Sequence, residues 1–444
     1  MTVNVRFAPS PTGLLHLGNI RAALVNWLFA RQKGGKFILR IDDTDLERST
    51  KAYEDQAKVD LEWLGLTWDE TFNQSARFAR YDAVVKKLKA DGRLYPCYET
   101  AEELDVKRKI QLSRGLPPVY DRAALKYGPE DIAVFEQEGR APHWRFKLDI
   151  PNRVVWQDLI RGEVSIDLES LSDPILIRGD GSYLYTLPSV VDDVDYNITH
   201  IVRGEDHVTN SAVQTQIFEA LGGTAPKMAH FALLTGKGGE GLSKRHGAMA
   251  IKEYRDEAGL EPMSIVSLLA RLGTSEPIEP FVSAEALIED FSFDKFGRAV
   301  AKLDPEEIEH LNAKILHETP FSLVAERVAP LGVDEDFWKA VRPNLKKLSD
   351  LKEWIVIVKG PITPIINDKE FIKKALELLP EGVFTDESWK AWTNAVKEET
   401  GAKGRDLFMP LRQAITGQDH GPDMSTLLLM IGREQVIERL SGKI

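Results

Sequence analysis

The sequence predicts an α/β domain of nucleotide-binding type, interrupted by an insertion and followed by an all-helical tail. Three observations predict it. An alternating run, Val3–Ala8, passes through the loop PSPTGLLHLGN (Pro9–Asn19) into a helical pattern and a second strand pattern, which together spell a βαβ unit. The stretch from 97 to 185 changes character, with short strand-like runs and turns such as SRGLPPVYDR and IRGDGSYLYTL. Beyond residue 305 the apolar pattern is helical almost throughout. A length of 444 residues fits two or three domains.

The first helix is predicted from Ile20, Ala23, Leu24, Trp27 and Leu28, which share one face, with Asn19 as N-cap and Gly34-Gly35 as the stop. The second strand follows at Lys36–Asp42. This arrangement puts the Pro/Gly loop at the carboxyl end of a strand and the amino end of a helix. Open α/β sheets bind ligands there, because free backbone N–H groups and the helix dipole favour a phosphate. A capped connection without a ligand is the competing reading. Helical periodicity continues through YEDQAKVDLEWLGL and RFARYDAVVKKLKADG, and ITHIVRGEDH and KMAHFALLTG read as further strands. The glycine-rich basic segment GKGGEGLSKRHG follows. A domain boundary is placed near Lys302–Pro320, and SLVAERVAPL, DFWKAVRPNLKKLSDLKEWIVIV, DKEFIKKALELL, DESWKAWTNAVKEE and MSTLLLMIGREQVIERL read as helical beyond it.

Composition narrows the function classes. The net charge of −12 argues against a nucleic-acid partner on bulk charge, although an acidic chain can gather its basic residues on one face. The single cysteine, Cys97, excludes an intrachain disulfide and a Cys-rich zinc site, and suits a reducing cytoplasm. No run approaches the ~18 apolar residues of a membrane span, and MTVNVRFAPS has no apolar signal region, so a cytoplasmic protein without membrane contact is expected. The GxGxxG fingerprint and the P-loop are both missing. What remains is His16 and Gly18 at a helix N-terminus, and Ser243-Lys244-Arg245 in a glycine-rich segment more than two hundred residues later. Each alone is weak. Together they suggest two jaws around ATP, where fixed donors and a cation meet the charge that grows on the phosphates.

At this point a family emerges. RFAPSPTGLLHLGNIRAAL, LRIDDTDLERS, LYTLPSVVDD, IVRGEDHVTN and GLSKRHGA stand in the order and spacing of bacterial glutamyl-tRNA synthetases, and the resemblance reaches FMPLRQAITG near the C-terminus. HLGN resembles the HIGH-type signature of class I aminoacyl-tRNA synthetases, and GLSKR their KMSKS loop. The resemblance implies a Rossmann-like parallel sheet in two halves, 1–96 and 186–240. Between them lies an inserted α+β acceptor-stem-binding domain, 97–185; a KMSKS-type loop and stem-contact region, 241–315, and an all-helical anticodon-binding domain, 316–444, follow. It implies catalytic roles for His16, Gly18 and Lys244, and ATP contacts from Pro9, Ser10, Thr12, Gly13, His16, Gly18, Asn19, Ser243, Lys244 and Arg245. It places Arg6, Ala8, Ser10, Asp42, Tyr185 and Arg203 around glutamate. A guanidinium fork suits a carboxylate, and a buried one rejects glutamine, whose neutral amide leaves it without a counter-charge. For Arg6 the competing reading is a surface residue on an edge strand, and for Tyr185 it is core packing.

The implied reaction is ligation of L-glutamate to tRNA-Glu through glutamyl-adenylate, with ATP carrying Mg2+, by a monomer; tRNA-Gln is an open second substrate. The basic stretch Arg342–Lys352 falls in the region that relatives use at the anticodon, which makes Arg342, Asn344, Lys346 and Lys347 candidate tRNA contacts, against an ordinary solvated helix face. Some positions depart from the family pattern. Asp42 stands where many relatives have Glu, Ser189 where some have Asn, and Gly241 where the loop usually carries its first Lys. Some relatives that exclude tRNA-Gln carry an Arg near Asn344. Cys97 is followed by Glu99 where zinc-binding relatives have a second Cys, so neither zinc nor another protein-held metal is expected. The rivals are a truncated paralogue that modifies a tRNA base, a glutaminyl-tRNA synthetase and a catalytically silent regulator. The helical tail, the end-to-end match, and the retained His16, Gly18, Lys244, Arg6 and Arg203 argue against them in turn.

Overall fold

A computed structural model describes residues 2–236, 238–239 and 249–442. The chain divides into two compact units, Met1–Glu257 with Ile265–Asp304 and Ala258–Ser264 with Pro305–Ile444.

The first unit opens with β1 (Asn4–Phe7), α1 (Leu17–Gln32), β2 (Lys36–Ile41), α2 (Lys51–Trp63), β3 (Glu70–Asn73) and α3 (Phe78–Ala90). β2 lies between β1 and β3 and is parallel to both, with Arg6 opposite Ile38. Strands covered on both faces read as unbroken apolar runs, and FILRI of β2 is buried at every position. Arg40 is the exception within that run, and it needs partners.

The stretch from 97 to 185 holds more than strands and turns. After β4 (Leu94–Cys97) come α4 (Ala101–Ser113) and α5 (Pro129–Gln137), two helices that apolar periodicity does not reveal. Neither buries a residue, so there is no stripe to read. The available cue is the capping box of Thr100 and Glu103, each side chain accepting the other's backbone N–H, at 3.3 and 2.9 Å. β5 (His143–Phe146), β6 (Arg153–Asp158), β7 (Gly162–Asp167) and β8 (Ile175–Ile177) complete the stretch. β4, β5 and β8 form a small antiparallel sheet. β6 and β7 form a hairpin that belongs elsewhere.

α6 (Thr186–Asp195), β9 (His200–Gly204), α7 (Val208–Ala220) and β10 (Lys227–Phe231) return the chain to the main sheet. β10 pairs in parallel with β9 along its length and with β6 at Asp158, giving the order β7-β6-β10-β9. β1 and β9 lie side by side, with the Thr199 N–H donating to the Asn4 carbonyl at 2.9 Å. Two sheets, β1-β2-β3 and β7-β6-β10-β9, therefore adjoin at β1 and β9 and extend outward from that seam. Such a reversal opens a crevice at the strands' carboxyl ends. β11 (Leu234–Gly236) pairs in parallel with β12 (Ala301–Leu303).

The second unit is helical, with Pro305–Glu318, Glu335–Val341, Leu351–Lys359, Lys369–Glu377, Ser388–Thr400, Arg405–Thr416, Met424–Ile431 and Arg433–Leu440 as its main helices. Trp338 and Trp392 sit at its centre, their indole N–H groups donating to the carbonyls of Thr319 and Ala375 at 2.9 and 2.8 Å. Two of the longer helical patterns are broken. Pro343 lacks an amide hydrogen and limits Arg342–Asn344 to one tight turn, and Gly432, at φ +79°, separates the last two helices. Among the candidate tRNA contacts, the Arg342 guanidinium donates to the carbonyls of Glu318 and Thr319, whereas the Lys346 side chain is exposed.

Gly35 marks the tightest approach in the first βαβ turn. A Cβ there would lie 2.2 Å from the Val3 carbonyl oxygen, which already accepts the Lys36 N–H at 2.7 Å. Gly35→Ala is expected to lower the unfolding free energy of the first unit by roughly 2 kcal/mol, read as a shifted midpoint in urea at unchanged slope.

Candidate active site

One cavity of about 880 Å³ sits at the carboxyl ends of β1 and β9. It collects every described residue that the sequence assigns to ATP or glutamate: Arg6, Ala8, Pro9, Ser10, Thr12, Gly13, His16, Gly18, Asn19, Asp42, Tyr185 and Arg203. Ser243, Lys244, Arg245 and the departure at Gly241 lie outside the described residues. The flanks of that segment are informative all the same. Leu234 of β11 lines the cavity, and on the far side Ala250 bridges His16 while the Ile251 N–H donates to the Leu15 carbonyl at 2.9 Å. Both flanks are tied to the cavity wall.

The start of α1 differs from the sequence reading. His16, not Asn19, is the N-cap. Its Nδ1 accepts the N–H groups of Gly18 at 3.1 Å and Asn19 at 3.4 Å, and Asn19 Oδ1 accepts the His16 N–H at 3.1 Å. An imidazole that accepts at Nδ1 carries its proton at Nε2, so the ring is a neutral donor at the cavity edge. Burial pushes its pKa below the ordinary value and keeps it neutral. Gly18 makes room for this ring: a Cβ there would lie 3.0 Å from His16 Cε1. The Gly18 amide is accordingly engaged with His16.

Beneath the cavity lies a buried ionic network. Arg6 donates to both oxygens of Asp193 at 3.0 and 3.2 Å. Arg40 donates to Asp193 at 3.0 Å and to both oxygens of Asp42 at 2.6 and 3.1 Å. Ser189 contributes its hydroxyl and carbonyl oxygens to Arg40 at 3.2 and 3.3 Å, so it supports the network from outside the cavity. Arg6 is buried rather than a surface residue on an edge strand. Asp42 spends bonds on Arg40, but a carboxylate has about four lone-pair sites and can accept an ammonium as well.

Arg203 is placed differently. Its Nη1 donates to the Tyr185 hydroxyl at 3.1 Å, and its Nη2 donates to Ser211 Oγ at 2.6 Å and Gln214 Oε1 at 2.7 Å. Tyr185 thus acts through its hydroxyl and not by packing alone. No carboxylate pairs with Arg203 among the described residues, and its Nε is buried without an acceptor. Burial lowers its pKa. Arg21 is the second such cation in the cavity wall. It donates to the carbonyls of Ala232 and Leu272 at 2.8 and 2.9 Å, and burial brings it down to about 10. Two uncompensated buried guanidiniums make the cavity electropositive inside an acidic protein, a setting for anionic ligands.

The comparisons with known proteins fit this geometry. Residues 2–310 match the family described as tRNA synthetases class I (E and Q), catalytic domain, and residues 324–444 match an anticodon binding domain. The chain is 57% identical to glutamate–tRNA ligase 1 of Maricaulis maris, covering 99% of both proteins. It is 60% identical to glutamate–tRNA ligase 2 of Hyphomonas neptunium over 98% of this chain and 99% of that one. The chain belongs to the glutamate–tRNA ligase family. Among solved structures, a glutamate tRNA ligase from Elizabethkingia meningosepticum in complex with its amino acid aligns with a TM-score of 0.85 at 28% identity over 99% of each chain.

Elsewhere in this glutamate–tRNA ligase, the end of β4 places a thiol beside a phenol. Cys97 is buried, its thiol pushed up to about 11 by burial, with the Tyr120 hydroxyl at 3.8 Å donating to Glu99 at 2.8 Å. Among the described residues no group of His, Cys, Asp and Glu could hold a metal ion, and no helix is long and apolar enough to cross a membrane. The sequence reading missed Arg40, Asp193, Ser211, Gln214 and Arg21. LYTLPSVVDD and IVRGEDHVTN contain or adjoin several of them, but only the fold shows which arginine each one meets.

Asp193 balances two arginines at once, so its loss leaves buried Arg6 without a carboxylate and Arg40 with Asp42 alone. Asp193→Ala is expected to destabilise the first unit by about 3–5 kcal/mol in denaturant unfolding, well beyond Arg31→Ala at the exposed pair with Asp69.

Proposed function

We propose that the chain joins L-glutamate to the 3′-terminal adenosine of tRNA-Glu in protein synthesis, in the cytoplasm and as a monomer. The observation that carries the proposal is Arg203, a buried guanidinium that meets no carboxylate among the described residues, in the same cavity as the His16 cap. A substrate carboxylate supplies the missing counter-charge. A glutamine held there by its side-chain amide would leave Arg203 unpaired, and a site built for a charge rejects the ligand that lacks it.

In the first step a glutamate α-carboxylate oxygen attacks the α-phosphorus of ATP, which arrives as its magnesium complex. The bond to the β-phosphate oxygen breaks, and pyrophosphate leaves. In the second step a ribose hydroxyl of the terminal adenosine attacks the mixed anhydride carbonyl, AMP leaves with the bonding pair, and the hydroxyl proton is released to water. His16 offers Nε2–H to the phosphate oxygens without a change of protonation, which makes it a preorganised donor and not a proton carrier. Ser10, Thr12 and Gly13 border the triphosphate, and Lys244 and Arg245 supply cations from the segment whose flanks are fixed at Leu234 and Ala250. Asp42 receives the substrate ammonium, with Arg40 holding its carboxylate in place. Lys346 and Lys347, with Arg342 and Asn344 behind them, face the tRNA.

Charging of radiolabelled glutamate onto tRNA-Glu and tRNA-Gln transcripts, run side by side, tests this reading. Glutamyl-tRNA-Glu is the expected product, charging of tRNA-Gln would show a relaxed anticodon site, and charging of neither would overturn the proposal. Arg203→Ala is expected to raise the KM for glutamate about tenfold or more and leave the KM for ATP within about twofold. Equal effects on the two substrates would remove Arg203 from the amino-acid pocket.

A further inference from the structure

We infer that His230 is a positioning residue for the substrate carboxylate: backed by Asp158, it orients Ser211, and Ser211 holds the Arg203 guanidinium in place. The inference rests on the reading that Arg203 receives a carboxylate of glutamate. His230 and Arg203 are register partners on the neighbouring parallel strands β10 and β9, so their side chains leave the sheet on the same face. α7 covers that face with Ser211 and Gln214. An unbroken run of hydrogen bonds results. Asp158 Oδ2 is 2.5 Å from His230 Nδ1, His230 Nε2 is 2.8 Å from Ser211 Oγ, and Arg203 Nη2 donates to the same Oγ at 2.6 Å.

The protons along this run can be assigned. Burial pushes the Asp158 carboxyl upward, but the bonds from the His230 ring and from the backbone N–H groups of Arg161, His230 and Ile160 outweigh it and hold it at about 2. An ionised carboxylate only accepts, so Nδ1 carries the imidazole proton and Nε2 is bare. A bare Nε2 takes the Ser211 hydroxyl hydrogen, which turns the oxygen lone pairs toward Arg203. Ser211 has one competing acceptor, the His207 carbonyl four residues back on the helix, at 3.2 Å. His230 decides between the two orientations.

A histidine that only fills space would not need this arrangement. His230 and Ser211 are fully buried, and Asp158 and Arg203 are 4% and 6% exposed. Burying four polar groups in apolar surroundings costs free energy unless each is satisfied, and here each satisfies the next. The run ends on Arg203, whose Nε lacks an acceptor among the described residues and whose other arm meets the Tyr185 hydroxyl. No bond in it leads toward His16.

The test is steady-state charging of tRNA-Glu by the full chain, with KM for glutamate and for ATP measured in Asp158→Asn, Ser211→Ala and the double variant. Asparagine keeps the shape of Asp158 but offers a donor to Nδ1, which moves the imidazole proton to Nε2. Each single variant is expected to raise the glutamate KM about tenfold, with the ATP KM within about twofold. The double variant is expected to match Ser211→Ala, because the two act through one hydroxyl. Effects that multiply in the double variant, or that raise both KM values alike, would overturn the inference. Arg203→Ala separates the two layers. If it moves the glutamate KM while the relay variants do not, the relay alone fails; if it does not, the reading beneath it fails too. Should Asp158→Asn not fold, His230→Gln takes its place in the same comparison, alone and combined with Ser211→Ala.

Discussion

Two buried arginines share one carboxylate, and the floor of the cavity depends on it. Arg6 reaches Asp193 from β1 and Arg40 reaches it from β2, so a residue of α6 fixes the ends of two strands together. In a low-dielectric interior such a network is costly if any member is missing and stiff when all are present. Its stiffness serves the site. Arg40, held by Asp193 and Ser189, in turn holds both oxygens of Asp42, and so a carboxylate shorter than the usual Glu still has a fixed position at the cavity edge. The departures at Asp42 and Ser189 thus meet at one side chain.

The opening loop answers to a different constraint. Two prolines lead into it, and its last residue folds a ring back onto the first turn of α1. That ring satisfies amides that a serine or asparagine would ordinarily satisfy, and in doing so it fixes its own tautomer. Glycine at position 18 eases this, since a Cβ there would press on the ring at 3.0 Å from Cε1 and make it shift. The helix start and the donor at the cavity edge are one structure, built around a histidine that caps its own helix.

Much of this was legible in the sequence. The βαβ unit announces itself through strand alternation and helical period, and the residues around the cavity come from motifs whose order is specific. Reading failed where the signal is not periodic. α4 and α5 bury no residue and leave no stripe. The last helical patterns continue through Pro343 and Gly432, because period alone does not register a missing amide hydrogen or a left-handed backbone. Asn19 has the composition of an N-cap, yet His16 takes the position, since tertiary placement at the cavity overrides local preference. Asp158 and His230 lie seventy-two residues apart in the chain, and nothing local connects them. Partners of this kind become visible only when β6 and β10 are seen side by side.

Arg203 also has a bearing on stability. An enzyme that keeps a buried cation without its counter-ion folds into a state less stable than the one its chain could reach with an acid at that position. In the function proposed, the ligand's carboxylate completes the electrostatics at Arg203, so folding and substrate capture would draw on the same interaction, and the free energy withheld from the empty fold would be returned as affinity. The stability of such a molecule would rise with the concentration of its amino acid, with no separate sensor.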